Sequence, residues 1–158
     1  MKEIQEIVPG LENPGQPLEY VATAGQPDEE HFEQLAEAGY KTVIDTRSAE
    51  EDPGFDEPEV VRQAGMEYVN IPVGHETVEE ETFERFRELM RDPECRPVLV
   101  HCSSANRVGA LLVPYLVLDE GKSTEEAEEI ATEVGLRSDE LKEAALEYVS
   151  ERQDGLGR

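Results

Sequence analysis

The stretch "VLVHCSSANRVGALLV", residues 98–113, decides how this chain is interpreted. An apolar run ends in His101 and Cys102, a short polar segment leads to Arg107, and a second apolar run follows. The first run has the length of a buried strand in a parallel sheet, and the second has the length of a buried helix. The polar segment is therefore predicted to be a loop at the carboxyl end of a strand, where α/β proteins bind ligands.

The residue types in this loop favour chemistry on an anion. Backbone N–H groups of a tight loop, together with the N-terminus of the following helix, can converge on a negatively charged group. A thiol in such a place ionises readily, and an arginine can grip an oxyanion with two N–H groups. Cys102 is thus a candidate nucleophile and Arg107 a candidate clamp. On spacing alone, an inert core cysteine and a hydrogen-bonded core histidine remain alternatives.

The rest of the chain alternates strand-like and helix-like segments. This pattern predicts an α/β fold with a mainly parallel central sheet flanked by helices on both faces. Expected strands lie within 18–27, 40–46, 66–73 and 97–100, and expected helices lie within 28–38, 59–65, 81–90, 108–121, 123 onward and 138–151. We expect one domain over residues 18–151, an N-terminal extension over 1–17 and a frayed tail over 152–158.

The chain is strongly acidic, with 38 Asp and Glu against 14 Lys and Arg and a formal net charge of −24. Because the acidic residues interleave with apolar positions, they indicate the solvent faces of folded helices and not a disordered chain. Such a charge argues against nucleic acid as a partner. A surface poor in lysine suits a halophilic protein, although an equally acidic surface could serve in an ordinary cytoplasm.

The apolar segments, the cysteines and the histidines bear on where the protein resides and on whether it holds a cofactor. No apolar segment has the length of a signal peptide or a membrane span, so we expect a cytoplasmic protein without a membrane partner. Cys95 and Cys102 form no disulfide framework. The three histidines show no metal-binding spacing, and neither a metal nor a cofactor is expected.

The Cys-to-Arg loop resembles the signature of the cysteine-dependent phosphatases, the protein tyrosine and dual-specificity families. Those families read His-Cys, five residues, Arg, and then Ser or Thr. More of the chain resembles a small bacterial and archaeal branch described as beta-lactamase-hydrolase-like or dual-specificity-phosphatase-like. The shared stretches are "AGQP" (24–27), "KTVIDTR" (41–47), "YVNIPV" (68–73) and the loop at 102–107. The resemblance covers roughly residues 18 to 120.

The resemblance implies a phosphatase that acts on a phosphorylated protein or small molecule. Cys102 would form a phosphocysteine and Arg107 would hold the phosphoryl oxygens. His101 would help to hold the thiolate. The phosphate-binding loop would comprise residues that supply backbone N–H groups, together with the residue after the arginine: Ser103, Ser104, Ala105, Asn106 and Val108.

Three departures from the family pattern matter. The loop has four residues between Cys102 and Arg107 instead of five. It contains no glycine, so Asn106, which tolerates a left-handed backbone, is expected where glycine is usual. Val108 stands where the family places a hydroxyl that helps the thiolate to leave the phosphoenzyme, which implies slow turnover.

The sequence does not identify the residue that would act as the general acid. Family members use an aspartate on a neighbouring loop. Two loops reach the same sheet edge and offer His75, Glu76 and Glu79, or Asp45, Glu50, Glu51 and Asp52. We favour His75, with Asp52 as the other choice, although most of these carboxylates are expected to be solvated surface. Arg47 could assist anion binding or form a surface ion pair.

Two other functions remain possible. Rhodanese-like domains also end a strand in a six-residue Cys-to-Arg loop, so Cys102 could carry a persulfide in sulfur transfer. The uncertain acid and the missing hydroxyl also allow a non-catalytic anion-binding domain.

Overall fold

A computed structural model describes residues 4–12, 14–47, 54–73, 78–102 and 106–156. Its centre is a five-stranded sheet with the strand order β1-β2-β5-β3-β4. The strands are β1 (Gly15–Leu18), β2 (Val21–Ala24), β3 (Thr42–Asp45), β4 (Glu67–Asn70) and β5 (Val98–His101). The strand that leads to Cys102 is therefore the central one.

Pairing in the sheet is parallel except at one edge. β5 pairs in parallel with β2 on one side and with β3 on the other, and β3 pairs in parallel with β4. Among the strands in the described residues, only β1 runs antiparallel, joined to β2 by a short turn. The predicted α/β class with a mainly parallel central sheet is confirmed.

Helices cover both faces of the sheet. They are α1 (Ile4–Ile7), α2 (Glu29–Glu37), α3 (Glu57–Gln63), α4 (Glu80–Arg91), α5 (Asn106–Leu118), α6 (Thr124–Val134) and α7 (Asp139–Leu156), with a 3-10 turn at Pro93–Cys95. One hydrophobic cluster unites α1, α2 and α3, and a second unites α4 to α7. Among the described residues, none of the helices combines the length and apolar character that a membrane crossing needs.

The side chains of the central strands divide between these two clusters. In β5, Leu99 belongs to the cluster of α1 to α3, whereas Val98 and Val100 belong to the other. Successive residues of a strand point to opposite faces, so both faces of β5 are apolar. This explains why the strand reads as a continuous hydrophobic run.

The two ends of the chain differ from expectation. The segment 1–17, predicted as an N-terminal extension, contains α1 and the first three residues of β1, and Ile4, Val8 and Leu11 are buried against α2 and α3. At the other end α7 continues to Leu156, past the expected end at Glu151. The boundaries of the domain remain a prediction.

Candidate active site

Cys102 lies directly after the central strand, at the carboxyl edge of the sheet. Its side chain is fully buried and packs in the cluster formed by α4 to α7. Its backbone N–H donates to the carbonyl of Ala24 at 3.4 Å, a long hydrogen bond. The structure therefore places the candidate nucleophile where ligand sites of parallel sheets occur.

Arg107 and Asn106 begin helix α5. Arg107 is only 2% exposed, and its Nη1 donates to the carbonyl of Val73, the residue three positions after β4, at 3.4 Å. The Asn106 side chain accepts from the backbone N–H groups of Arg137 at 2.7 Å and Ser138 at 3.2 Å. Asn106 thus ties the start of α5 to the start of α7, while the first turn of α5 carries the arginine at the same sheet edge as Cys102. Val108, next along α5, is fully buried.

Part of the predicted site lies outside the described residues. This applies to the loop residues Ser103, Ser104 and Ala105, and to the candidate acids His75, Glu76, Glu50, Glu51 and Asp52. Their assigned roles stay predictions. Glu79, the remaining candidate of its loop, is exposed at the N-cap of α4.

His101 is a fully buried histidine whose ring has a carboxylate partner. Its Nε2 lies 2.5 Å from Oε2 of Glu57, and its ring centroid lies 6.4 Å from that of Phe32. Phe32 belongs to the cluster of α1 to α3, whereas Cys102 belongs to the opposite cluster. The His101 and Cys102 side chains therefore leave the strand on opposite faces. The role predicted for His101 in holding the thiolate remains a prediction.

Arg47 forms a buried ion-pair network instead of the surface pair that the sequence allowed. It is 5% exposed, and its Nε and Nη2 donate to the carboxylate of Asp45 at 3.0 and 2.8 Å. Its Nη2 also lies 3.1 Å from Oε1 of Glu57. The Tyr68 hydroxyl donates to Asp45 Oδ2 at 2.6 Å.

The network makes Asp45 unsuitable as a general acid. Burial alone would raise the pKa of Asp45, but the hydrogen bonds from Arg47, the charge of His101 and the hydrogen bond from Tyr68 outweigh it and lower the pKa. A general acid at neutral pH needs a raised pKa. Of the candidate acids that the structure describes, Asp45 is therefore disfavoured, and Glu79 is exposed.

Glu57 was not among the residues that the sequence singled out. It begins α3, is 1% exposed, and contacts Arg47 and His101. Because the chain has 38 acidic residues, a glutamate in the first turn of a helix does not stand out from the exposed acidic residues in the sequence. The signal that could have found it is the neighbouring sequence "DEPEVV", in which Glu57 stands between the helix-capping Asp56 and Pro58.

Comparison with known proteins assigns the family. The family model described as "DSP-PTPase phosphatase fused to NAD+ Kinase" matches residues 15–151. The chain belongs to this family of dual-specificity and protein tyrosine phosphatase domains. The predicted resemblance is confirmed, and the family class is that of a phosphatase, a hydrolase.

Curated relatives match over part of their length. A beta-lactamase hydrolase-like protein of Agrobacterium fabrum is 34% identical over 105 residues, which cover 64% of this chain and 24% of that protein. A protein with the same description from Xylella fastidiosa is 32% identical over 114 residues, covering 70% of this chain and 26% of that protein. The chain thus spans about a quarter of the length of these relatives.

Solved structures share the fold. A protein from Shewanella putrefaciens CN-32 described as "Putative phosphatase (DUF442)" superposes with a TM-score of 0.79 and 26% identity, over 93% of this chain and 97% of that chain. The similarity extends over nearly the whole length of both chains, so the fold is that of this phosphatase class.

Proposed function

We propose that this chain is a cysteine-dependent phosphatase that hydrolyses phosphate monoesters through a phosphocysteine on Cys102. The observation that carries the proposal is the placement of Cys102 at the end of the central strand, with Arg107 in the first turn of the following helix. A thiolate at a helix N-terminus is stabilised by unpaired N–H groups and the helix dipole.

The proposed reaction has two displacements. The Cys102 thiolate attacks phosphorus, the bond from phosphorus to the ester oxygen breaks, and the leaving oxygen takes a proton from the general acid. Water then attacks phosphorus and gives a proton to the conjugate base of that acid, the sulfur–phosphorus bond breaks, and inorganic phosphate leaves with the Cys102 thiolate restored. Arg107 would stabilise the charge on the non-bridging oxygens in both steps, and the N–H groups of residues 103–106 would assist it.

His75 is the proposed acid, with Glu76 and Asp52 as alternatives. Glu79 is exposed and begins helix α4, and Asp45 is held as a carboxylate by Arg47. A substrate of either kind, a phosphorylated protein or a small phosphate ester, fits this chemistry.

The test is turnover of an aryl phosphate by the wild-type chain and by Cys102→Ser, at low and at molar salt. We expect the variant to lose hydrolysis entirely. We also expect the wild type to release about one equivalent of aryl alcohol in a rapid burst, because Val108 supplies no hydroxyl for the second displacement. Cys95→Ser is the matched control, since Cys95 is a buried cysteine that follows α4. Hydrolysis that survives Cys102→Ser would contradict the mechanism.

The short loop supports a second candidate, sulfur transfer through a Cys102 persulfide. Four residues separate Cys102 from Arg107, as in rhodanese-like loops. Incubation with thiosulfate followed by mass spectrometry distinguishes the two functions. One added sulfur atom on Cys102, without aryl phosphate turnover, would favour the transferase. Phosphate binding without either reaction would favour an anion-binding domain.

A further inference from the structure

A buried carboxylate joins three strand ends beside the candidate nucleophile. Oε1 of Glu57 accepts from Nε2 of Gln26 at 2.8 Å and from Nη2 of Arg47 at 3.1 Å. Oε2 of the same carboxylate lies 2.5 Å from Nε2 of His101. We propose that Glu57 is a positioning residue that fixes the strand end from which Cys102 acts. This inference rests on the proposed cysteine mechanism.

The order of the strands in the sheet explains how the Glu57 carboxylate can position Cys102. Gln26 follows β2, Arg47 follows β3, and His101 is the last residue of β5. In the sheet β5 lies between β2 and β3, so Glu57 bridges three adjacent strands at their carboxyl ends. Cys102 is the next residue after His101, and a shift of His101 therefore moves the thiol.

The backbone hydrogen bonds beside Cys102 are shorter toward β3 than toward β2, and the contacts of Glu57 support the β2 side. On the β3 side, the His101 carbonyl accepts from both the N–H and the hydroxyl of Thr46 at 2.9 Å. On the β2 side, Cys102 N–H reaches the Ala24 carbonyl only at 3.4 Å. The Gln26–Glu57–His101 bridge closes that side with side-chain contacts of 2.8 and 2.5 Å.

Glu57 acts from the face opposite to the thiol. It belongs to α3, which packs with α1 and α2, whereas Cys102 packs in the cluster of α4 to α7. Glu57 therefore acts through the position of His101. A displacement of a reacting group by about 1 Å can cost a hundredfold in rate, so such support has a kinetic effect.

The direction of a pH shift separates this role from a simple charge effect. Glu57→Gln removes one negative charge, and a through-space effect alone would move ionisation of the thiol to lower pH. Loss of positioning would move it to higher pH, because a displaced thiolate loses the donors at the start of α5. Glu57→Asp keeps the charge and shortens the side chain, so any shift in that variant is geometric.

The experiment measures alkylation of Cys102 by iodoacetate from about pH 4 to about pH 9. All variants carry Cys95→Ser, so that Cys102 is the single cysteine. For Glu57→Gln and Glu57→Asp we expect slower alkylation at neutral pH, a rate profile moved to higher pH, and a kcat/KM for aryl phosphate about 10- to 100-fold lower.

Asp119→Asn is the matched control. Asp119 is a half-buried carboxylate that accepts from Arg87 at 2.7 and 3.2 Å, and it lies just after the far end of α5. We expect it to lose stability without any change in the alkylation profile. A Glu57→Asp profile that coincides with the wild type, or one that moves to lower pH, would overturn the inference. If Glu57→Gln does not fold, Glu57→Asp decides.

The alkylation profile also separates the inference from the proposed function. If the wild type fails to hydrolyse aryl phosphate but the Glu57 profiles move to higher pH, the phosphatase mechanism is wrong and the positioning role stands. If hydrolysis occurs and the profiles coincide, the mechanism stands and the positioning role is wrong.

Discussion

Arg107 combines a fixed position with a planar group suited to phosphate. It is 2% exposed, and a lysine at the same place would keep the charge but lose the two-pronged contact. We expect Arg107→Lys to lower kcat/KM for an aryl phosphate about 100- to 1000-fold, as loss of one oxyanion donor does elsewhere. Arg85→Lys is the control, because Arg85 is exposed on α4. Steady-state kinetics measure both, and wild-type activity in Arg107→Lys would contradict the clamp.

Tyr68 and Asp45 give the fold a pH dependence with a definite sign. The pKa of Asp45 is lowered in the folded state, so its ion pairs stabilise the fold fully above the unfolded value of about 4. This stability is lost as the pH falls through the folded value. Tyr68→Phe removes the 2.6 Å hydrogen bond to Asp45 and should lower the free energy of unfolding by about 1.5–3 kcal/mol at neutral pH.

The loss in Tyr68→Phe should shrink at acid pH, because Asp45 is then protonated in both proteins. Urea titrations across the acid range measure it. Tyr148→Phe is the control, since the Tyr148 hydroxyl accepts from Arg87 at 3.0 Å and contacts a cation instead of a carboxylate. A loss in Tyr68→Phe that stays constant with pH would mean that the hydroxyl does not act through Asp45.

At the scale of elements, Gly109 sets how closely α5 approaches α6 and the segment after it. A Cβ at this position would lie 2.8 Å from Cβ of Leu136 and 2.9 Å from the carbonyl oxygen of Ala131. Neither contact is tolerable without movement, so Gly109→Ala should destabilise the fold by about 1–3 kcal/mol. Urea unfolding measures this loss of stability. An unchanged stability would show that α5 can shift freely.

The elements that the sequence predicted well are those with local signals. Asp28 and Ser123 are the N-cap residues of α2 and α6, the helices that the sequence predicted over 28–38 and from 123 onward. The apolar runs at β3 and β5 form buried strands. Edge strand β1 was missed because "GQPL" contains Gly15 and Pro17, which disfavour strands, although proline is tolerated at a sheet edge. Helix α1, with four residues, is too short to show a periodic pattern.

In the candidate site, too, the residues with local sequence signals could be predicted and those joined by long-range contacts could not. Cys102 and Arg107 could be proposed from the sequence because strand, loop and helix are contiguous in the chain. The contacts of Glu57 with Gln26 and His101 join residues 31 and 44 positions apart, and no local pattern reports them. The same holds for Arg47, whose position after a strand allowed either an anion contact or an ion pair.

At the scale of the whole molecule, net charge governs the response to salt. A charge of −24 on 158 residues opposes compaction through self-repulsion, and added salt screens it. We expect the free energy of unfolding, and the kcat/KM for an anionic substrate, to rise between about 0.05 M and about 1 M salt. A neutral osmolyte is the control, because it does not screen charge. Stability independent of salt would argue against a halophilic character.

The central position of β5 in the sheet also determines how the candidate site unfolds. Its residues pair with β2 on one side and β3 on the other, while both of its faces are covered by helices. Amide protons in such a strand exchange with solvent deuterium mainly when the whole domain opens. Cys102 then keeps its position for as long as the molecule stays folded. We therefore expect β5 and the position of Cys102 to be lost in a single cooperative unfolding event, without an intermediate in which the sheet persists and the candidate site has unfolded.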